Sequence, residues 1–252
     1  MKTISKFILF SFVMALSITA RAQGDSTQQK KNIIKLNLTS LIFTNFSFQY
    51  ERVLSRKTSV ALGIGIRPKS GLPFKNRLME EFGSNSDAAK AIEETKFSNF
   101  NITPEFRYYV GKKGAPRGFY IAPFLRYSTM KLDQMYRFTP SDGIKHVANI
   151  KGSINSFGGG VMFGAQYNLS KKITLDWWIL GGAVGKSKGT LIGTDPINIP
   201  AQDRANIKND IEDVDFPGLD MKATVEQNKI TVKWDGPYYA LRTFGLALGF
   251  KF

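Results

Sequence analysis

Residues 243–252 read "TFGLALGFKF", and the alternation within this stretch decides the fold. Large apolar side chains occupy every second position, namely Phe244, Leu246, Leu248, Phe250 and Phe252. Glycine, alanine or lysine occupies each position between them. A period of two is typical of a β-strand whose two faces meet different surroundings.

The same alternation recurs along the chain. It is found at 34–39, 46–51, 60–67, 100–108, 119–127, 157–167 and 173–179. Together with the stretch quoted above, these segments predict about eight strands. Outside the first residues no apolar run is long enough for a membrane helix, which needs ~20 residues. The sequence therefore predicts an all-β, antiparallel, eight-stranded barrel.

Two classes of barrel alternate in this way, and they differ in which face is apolar. A soluble lipid-binding barrel has an apolar interior, and an outer-membrane barrel has an apolar exterior. The interior of eight strands is just wide enough for side chains to fill. The many Phe, Tyr, Trp, Leu and Ile side chains would overfill it, whereas the opposite face is rich in glycine and alanine. We therefore predict a transmembrane barrel whose apolar face contacts lipid.

The spacing of the strands agrees with an outer-membrane protein. Short connections are predicted at 54–57, 111–117 and 170–172, and long ones at 68–97, 131–152 and 186–236. Short periplasmic turns and long outer loops are typical of outer-membrane barrels. Within the long loops, 87–94 and 203–213 are expected to be helical.

The predicted inward face carries charges of both signs. Its members are Lys35, Glu51, Arg67, Glu105, Arg107, Arg126 and Asp176. Buried charges must be paired, so we expect a salt-bridged network that plugs a polar lumen. Acid–base catalysis by Glu51 and Glu105 is the alternative, and it is less favoured because structural ion pairs resemble catalytic sites.

The first residues have the order of a secretory signal. A basic start, an apolar run at 7–18 and Ala20-Arg21-Ala22 predict a signal peptide over 1–22. A polar tail at 23–32 and the barrel at 33–252 follow. The chain has no cysteine, which excludes disulfides, thiol nucleophiles and thiolate metal sites. We expect the outer membrane of a Gram-negative bacterium as the compartment.

The formal net charge of +15 does not come from the predicted outer loops, whose charges sum to zero. A basic rim is predicted on the short turns, and it consists of Arg56, Lys57, Lys112, Lys113, Arg117, Lys171 and Lys172. Contact with lipid phosphates is the interpretation that we favour over nucleic-acid binding, and ordinary solvated turns are the alternative.

Aromatic residues beside the short turns predict a girdle at the membrane interface. Its predicted members are Tyr50, Tyr108, Tyr109, Phe119, Tyr120, Tyr167 and Phe252. Pro104 and Pro123 lie inside predicted strands, where proline cannot donate a ladder hydrogen bond. We expect a β-bulge at these two positions.

The segments "NFSFQYERVLSRKTSVALGIGIR", "RGFYIAPFLRYS" and "LALGFKF" resemble a domain-of-unknown-function family of small bacterial outer-membrane barrels. The architecture is similar to the transmembrane domain of outer-membrane protein A. This resemblance implies that Phe250 and Phe252 are the signal read by the barrel-assembly machinery. It also implies outer-membrane lipids and lipopolysaccharide as partners, and it implies no established activity.

The sequence thus favours a structural or surface-interaction protein without catalysis, cofactor or metal. A lipid-modifying barrel enzyme is one alternative, in which His146 would act with Ser141 and Asp142. A soluble periplasmic lipid-binding barrel is another. A calcium site is a further alternative, and its ligands would be Asp210, Glu212, Asp213, Asp215 and Asp220. Neither the surface partner nor the oligomeric state follows from the sequence.

Overall fold

The computed structural model describes residues 30–81, 87–139, 143–194, 198–213 and 218–252. The strands within these ranges are β1 Asn32–Asn37, β2 Phe46–Val53, β3 Thr58–Gly71, β4 Lys96–Tyr109, β5 Gly118–Phe138, β6 His146–Asn168, β7 Ile173–Thr194, β8 Asp220–Val225 and β9 Lys229–Lys251. The helices are α1 Leu38–Ile42, α2 Lys75–Glu81, α3 Asp87–Glu94 and α4 Ala201–Glu212. The predicted signal peptide, 1–22, and most of the predicted tail lie outside the described residues.

The strands form one antiparallel sheet that closes in a ring. Neighbouring strands pair in the order β1-β2-β3-β4-β5-β6-β7-β9-β8, and β9 also pairs with β1. Phe250 on β9 lies opposite Ile34 on one side and opposite Ile173 on the other. The sheet has nine strands where the sequence predicted about eight, because β8 lies within the predicted loop 186–236. β8 pairs with β9 alone.

Two of the three predicted long loops contain long stretches of strand, so their predicted bounds were wrong. β5 and β6 stay paired as far as Phe138 and His146, inside the predicted loop 131–152. β7 and β9 stay paired as far as Thr194 and Lys229, inside the predicted loop 186–236. Backbone hydrogen bonds continue through these stretches although the apolar alternation fades. Because the alternation is the signal that predicts strands, these stretches were predicted as loops. The predicted loop 68–97 does contain the connection with α2 and α3.

The ring has a polar, charged interior and an apolar exterior. Phe48 and Leu125 on the outward face have half of their surface exposed, whereas Lys35 and Arg107 on the inward face are fully buried. This distribution is the reverse of the usual one, in which charged residues are almost never fully buried unless paired. None of the helices in the described ranges is long and apolar enough to cross a membrane.

The three short turns lie at one end of the ring, and each is hydrogen-bonded to a neighbouring turn or strand end. The amide of Ala115 donates to the carbonyl of Arg56 at 2.7 Å, which joins the turn after β4 to the turn after β2. The amide of Lys251 donates to the carbonyl of Lys172 at 2.7 Å, which joins the end of β9 to the turn after β6. These bonds hold the strand ends together at this rim.

Pro104 and Pro123 are accommodated without the predicted bulge. The β4–β5 register is constant from the pair Ile102–Tyr127 to the pair Tyr108–Ile121, which spans both prolines. Both prolines face outward. The missing donors therefore interrupt individual pairings without shifting the strands. The β6–β7 ladder does have a bulge, between Phe163 and Gly164.

Candidate functional site: a buried charge network

The inward face carries a network of charged side chains centred on Arg107 of β4. Its guanidinium contacts the carboxylate of Glu105 at 2.9 Å and the carboxylate of Asp176 on β7 at 2.7 Å. The same group donates to the side-chain oxygen of Gln49 on β2 at 2.8 Å. Arg107 is fully buried, and such planar, multiply bonded contacts are the geometry in which arginine binds carboxylates best. One residue thus connects three strands across the interior.

Lys35 of β1 is the second cation of the network. Its ammonium lies 2.5 Å from a carboxylate oxygen of Glu51 and 2.5 Å from one of Asp176. It also donates to the side-chain oxygen of Gln166 at 2.8 Å. Asp176 therefore accepts from both Lys35 and Arg107, so that β1, β4 and β7 are linked through one carboxylate.

Arg242 of β9 is the third cation. It contacts the second carboxylate oxygen of Glu105 at 2.7 Å, and its guanidinium lies 4.4 Å from the ring centroid of Trp178. The network then contains three cations, namely Lys35, Arg107 and Arg242, and three carboxylates, namely Glu51, Glu105 and Asp176. Because positive and negative charges are equal in number, the network avoids the large free-energy cost of an unpaired buried ion.

Two tyrosines donate hydrogen bonds to carboxylates of the network. The hydroxyl of Tyr109 donates to Glu51 at 2.6 Å, and that of Tyr120 donates to Asp176 at 2.8 Å. Both side chains are buried inside the ring. Their assignment to the aromatic girdle was wrong, because they have the parity of the inward face. The other predicted girdle residues, Tyr50, Tyr108, Phe119, Tyr167 and Phe252, are exposed on the outward face.

Local sequence explains how the ring accommodates the network. Lys35 lies opposite Gln49 on one neighbouring strand and opposite Gly249 on the other. A Cβ atom added to Gly249 would lie 3.0 Å from the Cγ atom of Lys35. Glycine therefore leaves the space that the lysine side chain occupies. Gln166 and Asp176 are direct cross-strand partners, which places both next to Lys35.

The network unites five of the seven residues predicted for it, and two lie apart. Arg126 donates to the hydroxyl of Thr103 at 3.0 Å. Arg67 donates to the backbone carbonyl of Phe43 and, at 2.7 Å, to that of Gly71. Arg67 therefore holds the turn after α1 against the C-terminal end of β3. Neither arginine reaches the carboxylates around Arg107 within the contacts that the structure describes.

Sequence reasoning missed Arg242, Gln49 and Gln166. The two glutamines share the parity of predicted inward residues on their strands, so alternation alone could have found them. Arg242 could not be found in this way. Counting in twos from the outward-facing Phe244 places Arg242 outside, yet it is buried. Phe244 has a positive φ of 50°, close to the β6–β7 bulge, and this irregular backbone changes the face on which the preceding residues lie.

The predicted basic rim lies on the three short turns, and all seven of its side chains are exposed. The ammonium of Lys57 lies 5.9 Å from the ring centroid of the outward-facing Tyr108. Phe250 and Phe252 are exposed on the outward face beside the same rim. The backbone of Phe252 pairs with that of Asn32, with an N–O distance of 2.9 Å.

The remaining candidates are the residues of the alternative lipid-modifying site and those of the alternative calcium site. His146 begins β6 and is buried, whereas Ser141 and Asp142 lie outside the described residues. Glu212 accepts from the backbone amide of Ala223 at 2.8 Å, and so connects α4 to β8. Asp215 lies outside the described residues. Within the described part of the chain, no three His, Cys, Asp or Glu side chains are grouped closely enough to hold a metal ion.

Comparison with known proteins gives one family. A family model described as "Protein of unknown function (DUF3575)" matches residues 8–188, which is more than half of the chain. The match ends within β7, before α4, β8 and β9. No curated protein and no solved structure matches.

Proposed function

We propose that the chain forms a closed β-barrel in the outer membrane. It belongs to the family of proteins of unknown function DUF3575. In this proposal the protein is non-catalytic and acts as a structural or surface-interaction element of a Gram-negative cell envelope. The eight strands of the ring, β1 to β7 and β9, cross the bilayer, and β8 belongs to the outer extension.

The observation that carries the proposal is the reversed burial of the sheet. Large apolar side chains cover the outward face, and a neutral network of six buried charges occupies the inside. Exposed apolar patches of this extent are rare on soluble proteins and are typical of surfaces that contact a membrane or a partner. A soluble lipid-binding barrel would have an apolar interior, and the buried carboxylates argue against that architecture.

The length of the apolar surface supports a membrane span. On β5 the outward-facing residues Phe119, Ile121, Leu125 and Tyr127 are large and exposed. They extend over 119–127, which is close to the ~9–11 residues that one tilted transmembrane strand requires. Phe119 and the outward-facing Tyr108 both lie near the short-turn end, where a girdle of aromatic side chains is expected. The basic rim lies just beyond them and would contact headgroup phosphates.

The network supports a closed interior. Arg107 connects β2, β4 and β7, and Lys35 connects β1 with β7. Eight strands leave an interior that side chains just fill, and here paired charges fill it. Opening a path for ions would require breaking several buried ion pairs at once. The outward-facing Phe250 and Phe252 are, on this proposal, the residues that the barrel-assembly machinery reads.

Cell fractionation tests the proposed compartment. We expect the full-length protein to sediment with outer-membrane markers and to remain there after washing with alkaline carbonate, because its outward face is apolar. A matched variant with Leu125→Asp and Phe163→Asp, two exposed outward positions, should fail to reach this fraction. Recovery of the unaltered protein in the soluble periplasm would exclude the proposal and favour a soluble lipid-binding protein.

A further inference from the structure

Four lysines gather on the outward face of the ring, beyond the apolar surface and at the end opposite the short turns. We call the group formed by Lys69, Lys96, Lys131 and Lys151 the lysine patch; it surrounds Asp133. The patch extends over β3, β4, β5 and β6. A cleft between these strands is lined by three of the lysines, and by Ser98 and Asp133.

Strand register brings the patch together. Asp133 on β5 lies directly opposite Lys96 on β4 and directly opposite Lys151 on β6. Lys131 precedes Asp133 by two residues, so it shares the same face of the sheet. The ammonium of Lys69 lies 2.5 Å from the carboxylate of Asp133. Four positive charges therefore surround a single carboxylate, and the patch has a formal charge of +3.

The patch occupies a defined level relative to the apolar surface. Lys131 follows the exposed Tyr127 by four residues, and Lys96 precedes the exposed Phe100 by four residues. Four residues of strand correspond to ~13 Å along the chain. In the barrel proposed above, on which this inference rests, the lysines lie at the level of the headgroups of the outer leaflet.

Charge counting along the sequence conceals this patch. The segment 68–97 is neutral because its acids balance its bases, yet those acids are carried by α2 and α3, whereas Lys69 and Lys96 are carried by β3 and β4. Lys75, Arg77 and Lys90 are on the same two helices as the acids, so the two remaining lysines of the segment are those on the sheet. The ammonium groups then face outward directly above side chains such as Tyr127, which suit acyl chains.

We propose that the lysine patch binds the phosphate groups of a phosphorylated glycolipid in the outer leaflet. Ammonium groups are point charges that pair well with phosphate, and a hydroxyl from Ser98 is available in the same cleft. The apolar surface below the patch holds the acyl chains of the same molecule. The patch and the apolar surface below it thus contact the two ends of one amphiphile, whereas a free phosphate ion would contact the patch alone.

The test measures binding of diphosphoryl lipid A to the purified full-length protein in neutral detergent. The variant carries Lys96→Gln, Lys131→Gln and Lys151→Gln, and the control carries Lys208→Gln, Lys222→Gln and Lys233→Gln, three exposed lysines on α4, β8 and β9 that belong neither to the patch nor to the basic rim. Each lysine near a phosphate-bearing surface contributes about 1 kcal/mol, so the variant should bind roughly a hundredfold more weakly. The control should bind like the unaltered protein. Thermal melting of each variant verifies that the fold is kept.

Two further arms identify the ligand chemistry. Dephosphorylated lipid A should bind the unaltered protein no better than it binds the triple variant, and inorganic phosphate should not displace lipid A. Asp133→Asn removes the single carboxylate of the patch, so we expect it to tighten lipid A binding severalfold. A purely structural Lys69–Asp133 pair would leave the affinity unchanged.

Several results would overturn the inference. They are equal affinity of the triple variant and the unaltered protein, equal affinity for the dephosphorylated lipid, and full displacement by inorganic phosphate. Failure of the proposed function would be seen separately, because fractionation would then place the protein in the periplasm. If the protein fractionates with the outer membrane but binds lipid A only weakly, the proposed lipid site is contradicted and the proposed function is not.

Discussion

Replacing Arg107 with methionine removes the central cation of the buried network while keeping a long side chain in its place. Arg107 contacts Glu105, Asp176 and Gln49 at 2.7–2.9 Å. Without it, the two remaining cations face three carboxylates, so one buried negative charge has no counterion. Breaking a buried pair by removing one partner costs ~3–5 kcal/mol. We therefore expect the free energy of unfolding to fall by about that amount.

The matched control is an ion pair on the surface. Lys188 lies 2.6 Å from Asp235, and both side chains are at least half exposed. Exposed pairs contribute about 0–1 kcal/mol, so Lys188→Met should change stability little. A second comparison adds Asp176→Asn to Arg107→Met, which restores equal numbers of positive and negative charges. The double variant should be more stable than the sum of the two single effects predicts, by roughly 0.5–3 kcal/mol.

The assay is urea unfolding of the protein refolded into lipid vesicles, followed by tryptophan fluorescence. Trp178 lies against Arg242 inside the ring, and its signal should report opening of the interior. The reasoning is refuted if Arg107→Met and Lys188→Met lower the unfolding free energy equally. It is also refuted if adding Asp176→Asn makes the Arg107 variant less stable than additivity predicts.

Three further predictions concern the interior, the orientation and the outer hairpins. In planar bilayers the purified protein should show no stable conductance, and steady porin-like openings would contradict the plugged interior. Trypsin added to intact cells should cleave after Arg204 or Lys208 of α4 and spare the turn 111–117; cleavage at that turn alone would mean the opposite orientation. Arg137 donates two 2.6 Å hydrogen bonds to Glu94, which hold the pKa of this carboxyl below its usual value. The pair therefore stabilises the folded state above pH ~4.5 and loses this effect as the pH falls through the lowered pKa. Amide exchange of α3 should increase on acidification in the unaltered protein. It should not increase in a Glu94→Gln variant.

Alternation along the chain predicted the inward positions of the network on the regular strands. Lys35, Glu51, Glu105, Arg107 and Asp176 all lie where a period of two places them. Their partners across the interior could not be derived, because a contact between β1 and β7 depends on how the ring closes. Arg242 was out of reach for a different reason. An irregular backbone at Phe244 reverses the parity on β9, and neither a positive φ nor a bulge has a clear signal in one sequence.

The outer extensions show a second limit of the pattern. Between 131 and 152 the two faces of the hairpin are mixed, because Gln134 has the parity of Leu132 and Ile150 whereas Met135 has the parity of Lys131 and Lys151, so no regular apolar period marks it as strand. Backbone pairing alone continues the ladder there. The helical prediction for 87–94 matches α3, because amphipathic helical spacing persists in a connection that packs against the neighbouring strand. Patterns in a sequence therefore locate elements that have one consistently apolar face and miss elements whose faces are mixed.

Closure of the ring by β1 and β9 has a consequence for the order in which the protein folds. The ion pair between Lys35 and Asp176 joins residues 141 positions apart, and the bond between Arg242 and Glu105 joins residues 137 positions apart. Contacts of such high sequence separation form late, because the entropy of closing long loops is lost before they contribute. In a partly curled sheet Glu51 and Glu105 already have a cation nearby, because Lys35 lies on the neighbouring strand and Arg107 on the same strand. Asp176 gains both of its cations only when the ring closes, which makes the final step cooperative and leaves open intermediates at higher free energy than the closed ring.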